Sequence, residues 1–247
     1  MTEEFDTDYI FIGTVIPERA QISTEFKCDM VHVYSDKPLF AHVNIILNHI
    51  TVWISSNYSW DIFDLRNIVS YLVQGELSMI GYLRGYAYDT EITRVINKKR
   101  EIDYVFGIGI PCLETSRQST SIDRELPKLR ELTTGKNGVL INRCLNDLKS
   151  AIKYADDTAF YCYRSIETLV NHCATLNDTQ GRSKSSQWDM FREASQASKE
   201  HILTIKKYAD PARHGNITEE NDVDREYILT KTWEIVDPYV EYVINNR

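Results

Sequence analysis

Apolar positions along this chain change their spacing near residue 115, and that change divides the sequence. In the first half they mostly alternate or form short runs. Residues 9–15 are an Ile- and Phe-rich run that stops at Pro17, which predicts a buried strand. Residues 21–34 alternate through Ile22, Thr24 and Phe26, and Asp36, Lys37 and Pro38 then supply a turn. In residues 41–54 the apolar set Val43, Ile45, Leu47 gives way to Ile50, Val52, Ile54, so parity switches near Asn48 and His49. That switch predicts a bulge or a hairpin turn, and three or four antiparallel strands account for the region.

One helix interrupts the strands. Asp61 is its expected cap, and Ile62, Leu65, Ile68, Val69, Leu72, Val73 and Leu77 recur at three- and four-residue steps. Residues 82–96 and 102–110 return to strand character on either side of a basic turn, Lys98, Lys99 and Arg100. The first half therefore reads as α+β, an antiparallel sheet with a helix against one face.

Residues 114–120 turn polar, and the domain boundary is expected there, giving an α+β domain at 1–116 and an all-helical domain at 117–247. In the second domain 122–132 reads as a short amphipathic piece broken by Pro127, and 135–138 as a loop. Residues 139–154 carry a stripe of Leu140, Ile141, Cys144, Leu145, Leu148 and Ile152. Asp156 or Asp157 caps the next helix, 158–174, and 177–186 is a polar loop. A single long helix is expected over 187–208, ended or kinked by Pro211. Asp222 or Asp224 starts the last one, with Pro238 inside it. Four or five helices on short loops make an antiparallel bundle.

Composition narrows the function classes. The 247 residues are 43% hydrophobic and 11% aromatic, enough to build packed cores. The net charge of -8 argues against general binding of polyanions, so any contact with RNA has to be a local basic patch. Five cysteines without a C-x-x-C pair, three of them (Cys144, Cys162, Cys173) in helical runs, suit reduced thiols. His32, His42 and His49 lack the carboxylate or thiol spacing of a metal site, and neither a metal nor a cofactor is expected. The N-terminus lacks the basic and apolar regions of a signal peptide and no run would span a bilayer, so a cytoplasmic protein without membrane contact is expected.

The candidate chemistry lies in residues 206–216, Lys-Lys-Tyr-Ala-Asp-Pro-Ala-Arg-His-Gly-Asn. Here a helical run meets a proline and then Arg213, His214 and Gly215 in succession. A plain reading is a basic helix end, since cations there interact favourably with the dipole. In 158–174, Arg164 and Glu167 lie one turn apart beside the packing side, spaced for an intrahelical ion pair.

Tyr163-Arg164-Ser165-Ile166-Glu167 on one helix and Arg213-His214-Gly215-Asn216 near the end of another resemble the HEPN superfamily. These are helical bundles found in bacterial toxins, abortive-infection and other antiphage proteins and CRISPR-associated ribonucleases. The resemblance covers roughly residues 121–247. It implies a metal-independent endoribonuclease, dimeric, with an arginine and a histidine forming a composite site across two copies. His214 would act as acid or base, Arg213 or Lys207 would hold the phosphate, and Asn216, Glu167 and Arg164 would complete the site. Counting back the family's gap of roughly four to six residues from His214 reaches Ala209, Tyr208 or Lys207 instead of arginine. The alternative it implies is a non-catalytic module that dimerises or joins a partner protein while the α+β half senses a signal.

Overall fold

The computed structural model describes residues 7–32, 35–214 and 225–246. The protein is α+β and divides into two compact units, 1–108 and 109–247. In the first unit six strands form one antiparallel sheet: β1 (Thr7–Ile16), β2 (Thr24–Val31), β3 (Pro38–Ile46), β4 (His49–Ser55), β5 (Asp89–Asn97) and β6 (Ile102–Val105). Their order is β2-β3-β4-β1-β5-β6. Strand alternation sends Tyr9, Phe11 and Val15, with Leu39, Val43, Ile45, Ile50, Val52 and Ile54, to one face. Helix α1 (Ile62–Arg84) shares that core through Leu65, Val69, Val73 and Leu77. The Asp61 side chain accepts from the amides of Phe63 and Asp64, and Gly85, at φ 69°, closes the other end.

The parity switch is a hairpin turn. Leu47 and Asn48 both have positive φ, 48° and 70°, which matches the twist of a two-residue hairpin between β3 and β4. Asn48 is buried and all its polar groups are used. Its Oδ1 accepts the Ile22 amide at 2.8 Å, while Nδ2 reaches the carbonyls of Val15, Pro17 and Glu18 at 3.3 Å. Its own amide donates to Ile22 and its carbonyl accepts from Val15. One side chain therefore ties the β3–β4 turn to the β1–β2 connection.

Other expectations need correction. Residues 82–84 continue α1 and strand character resumes only at Asp89. Residues 106–110 lie beyond β6. β1 is covered on one side only, for Ile12 and Ile16 stay 36% and 42% exposed.

The second unit is helical: α2 (Pro111–Arg117), α3 (Ile122–Leu132), α4 (Gly135–Lys153), α5 (Thr158–Leu176), α6 (Lys184–Ser195), α7 (Lys199–Arg213) and α8 (Arg225–Asn245). Its start lies before the polar stretch, because α2 belongs with the bundle. Leu113 enters the helical core and Arg117 Nη2 meets both carboxylate oxygens of Asp237 on α8 at 2.6 Å.

Proline and glycine mislead here for a shared reason. Pro127 sits in the second turn of α3 and Pro211 in the last turn of α7, and neither breaks its helix. Residues 135–138 are the first turn of α4, where backbone amides need no helical acceptor. Gly138 is required there: a Cβ would lie 2.3 Å from the Thr133 carbonyl oxygen. The expected long helix over 187–208 is two, α6 and α7, parted at Gln196 with φ 53°. The proposed caps Asp222 and Asp224 lie outside the described residues.

Helix α5 runs through the middle, packed by α4, α6, α7 and α8. Along with Tyr163, Ile166, Leu169, Val170 and Cys173 it buries Cys162, Ser165, Thr168 and His172. Ser165 and Thr168 hydroxyls donate to the carbonyls of Cys162 and Arg164, so their burial leaves no donor unmet. All five thiols are unpaired, and Cys144, Cys162 and Cys173 are buried.

Two expected outcomes follow from this packing. Asn48→Ala should lower the unfolding free energy of the first unit by about 2–3 kcal/mol, by orphaning the Ile22 amide and three carbonyls, as read by urea unfolding. Burial pushes the thiols of Cys144 and Cys162 from 9.0 up to about 12. The folded state thus keeps protons that the unfolded state gives up first. Stability is full below pH 9 and falls as pH rises towards 12, by about 1.4 kcal/mol per pH unit for each thiol. Cys162→Ala should make that alkaline fall shallower by one thiol's share, the remainder coming from Cys144 and from Tyr163, Cys173 and Tyr239, which burial also raises.

Candidate functional site

Helix α7 turns Ile202, Ile205 and Ala209 into the core at helical spacing. That placement sets Lys206, Asp210 and Arg213 along its flank, where Lys206 Nζ lies 3.7 Å from Asp210 Oδ2. Helix α5 presents Tyr163 and Glu167, one turn apart. Across the seam Arg213 Nη1 meets Glu167 Oε1 at 3.3 Å, with the arginine side chain 47% exposed. Burial pushes the Tyr163 phenol up to about 12. Glu167 and Asp210 add to that rise and Arg213 opposes it, so all three charges act on one hydroxyl-bearing ring. The ring itself stacks on Trp188, centroids 6.3 Å apart.

His214 follows directly. Its amide donates to the carbonyls of Asp210 and Pro211, which makes it the C-terminal cap of α7, and it is exposed. Lys207 is also exposed, its Nζ 5.6 Å from the centre of the Tyr208 ring, and among the described residues it forms no ion pair. Gly215 and Asn216 lie outside the described residues. Of the six predicted residues, the structure brings together Glu167 and Arg213, with His214 adjacent in sequence.

Arg164 goes elsewhere. Instead of pairing with Glu167 along the helix, it binds Asp147 Oδ1 on α4 through Nη2 and lies over Phe160 and Tyr161, 5.2 and 4.9 Å from their centres. Asp147 is 3% exposed, and its hydrogen bond raises the Arg164 pKa. Among the described residues Asp147 Oδ2 and Arg164 Nε have no hydrogen-bond partner. This is a fixed internal pair, separate from the α5–α7 seam. Sequence reasoning missed Asp147, although a carboxylate one residue before Leu148 and three after Cys144 falls on the buried stripe of α4. Asp210, which precedes Pro211, carries no sequence signal of its place on this flank.

Among the described residues no three His, Cys, Asp or Glu side chains converge as a metal site. His42 Nε2 instead donates to the Glu25 carboxylate at 2.7 Å, and the ring packs on Trp53. No helix among the described residues is long and apolar enough to cross a membrane.

The two ion pairs should respond differently to truncation. Arg164→Ala leaves Asp147 buried and uncompensated, for an expected loss of about 3 kcal/mol in urea unfolding. Arg213→Ala removes an exposed pair and should cost less than about 1 kcal/mol.

No curated protein and no solved structure matches the chain. Family models match both units: residues 9–106 match the N-terminal domain, and residues 126–244 the C-terminal domain, of the family described as Domain of unknown function (DUF8168).

Proposed function

We propose that the helical unit is a HEPN-like bundle that cleaves RNA without a metal, with the end of α7 as its reactive edge. The observation that carries this reading is the Arg213–Glu167 contact beside an exposed His214. Glu167 engages one guanidinium nitrogen, and the half-exposed arginine keeps further N–H donors for a phosphate. In the reaction the His214 imidazole takes the proton of a ribose 2′-hydroxyl. The 2′-oxygen bonds to phosphorus as the bond to the 5′-oxygen breaks, leaving a 2′,3′-cyclic phosphate, and the departing 5′-oxygen takes its proton from water. Arg213 stabilises the added negative charge on the phosphoryl oxygens, with Lys207 as a further cation. A second copy would complete the site, and the antiphage setting comes with the family likeness.

One observation favours a second reading. Ala209, at the nearest of the positions where the likeness expects arginine, is 1% exposed and faces the core. On this reading the bundle pairs with itself or a partner protein and does no chemistry.

RNA cleavage in EDTA separates the two. The enzyme reading expects wild-type cleavage that disappears in His214→Ala at unchanged melting temperature. Absence of cleavage of any RNA, with loss of the dimer in Arg213→Glu by sedimentation, would overturn it in favour of the pairing module.

A further inference from the structure

We propose that the first unit binds a phosphate group at the corner of its sheet where β1 begins and β5 ends. Ile10 pairs with Ile96, which makes Tyr9 and Asn97 the next positions on neighbouring strands, and both are buried, at 0% and 1% exposure. The Asn97 Oδ1 accepts the Arg100 amide at 3.0 Å and so fixes the turn Lys98–Arg100 against this corner. The Arg100 guanidinium lies over the Tyr9 ring, 5.7 Å from its centre, and donates through Nη1 to Ser59 Oγ. Lys37 Nζ arrives from the other side. It donates to the Ser59 carbonyl at 3.4 Å and lies 5.3 Å from the centre of the Trp60 ring. Two cations thus converge on one serine.

The corner has donors in excess of acceptors. No carboxylate among the described residues pairs with Lys37 or Arg100. Among the described residues the Asn97 Nδ2 and the Tyr9 hydroxyl, both buried, have no hydrogen-bond partner. Buried polar groups are nearly always satisfied, so two orphans on residues that Arg100 contacts, with Lys37 joined to it through Ser59 and neither cation paired to a carboxylate among the described residues, call for an acceptor that brings negative charge. A phosphomonoester fits: its three terminal oxygens can take a guanidinium, an ammonium and neutral N–H or O–H donors from different directions, and its charge balances the two cations. A carboxylate offers two oxygens in one plane. Trp60, 8% exposed, is held by its Nε1 bond to Ser56 Oγ and serves as wall, not as a stacking surface, so recognition centres on the phosphate.

Equilibrium dialysis of the full chain against radiolabelled inorganic phosphate, at fixed ionic strength in chloride, tests this. One phosphate retained per chain is expected, with at least about tenfold weaker retention in Arg100→Gln and in Lys37→Gln, each checked for native circular dichroism. Both side chains lie at the surface of the turn and loop, so two independent folded variants keep the test decisive. A nucleoside monophosphate competing more strongly than phosphate would mark a phosphorylated organic ligand, and equal competition would mark the free ion; both support the site. No retention by wild type, or equal retention in the variants, overturns it. RNA cleavage does not enter either readout.

Discussion

Because α5 has helices on four sides, it can carry ionisable groups only where a neighbour answers them. That constraint organises the helical unit. Arg164 is answered by Asp147 on α4, and Glu167 by Arg213 on α7. Cys162, Ser165 and Thr168 share the interior with Ile166, Leu169 and Val170, the Ser165 and Thr168 hydroxyls returning to carbonyls of the same helix. The two charged answers differ in kind. Asp147 is withdrawn from water and committed to the fold, whereas Arg213 is half in solvent and keeps donors to spare. A site for chemistry has to be of the second kind.

The first unit is held by a different device. Its sheet has one covered face, and a buried asparagine in the β3–β4 turn links that turn to the loop after β1. A turn that could have been mere surface is thereby part of the core. The opposite corner of the same sheet has the reverse character, with donors gathered and too few acceptors to meet them.

Much of this was legible from the chain. The period-two and period-3.6 segments located most strands and helices, and the parity switch at Asn48 marked the hairpin, because each reports which side chains share a face. What misled was local chemistry judged without its position. Pro127 and Pro211 are tolerated within their helices, Gly138 is a close-approach residue inside a first turn, and Gln196 breaks a helix while carrying no glycine-like signal. At the candidate site, Glu167 and Arg213 were named from residue type, but their pairing across 46 positions is tertiary. Asp147 was hidden because a charge on an apolar stripe is easily passed over when only the apolar members are counted.

The sheet's outer strand β2 has a consequence beyond its own unit. Its alternate residues Glu25, Lys27 and Asp29 are exposed along an unpaired border, and Glu25 is fixed by His42 on the neighbouring strand. An extended segment from another molecule, seeking to lengthen the sheet there, would have to match three charges of alternating sign before gaining any backbone bond. The border thus admits only a guest whose own charges mirror that sequence, which makes indiscriminate strand addition between copies costly.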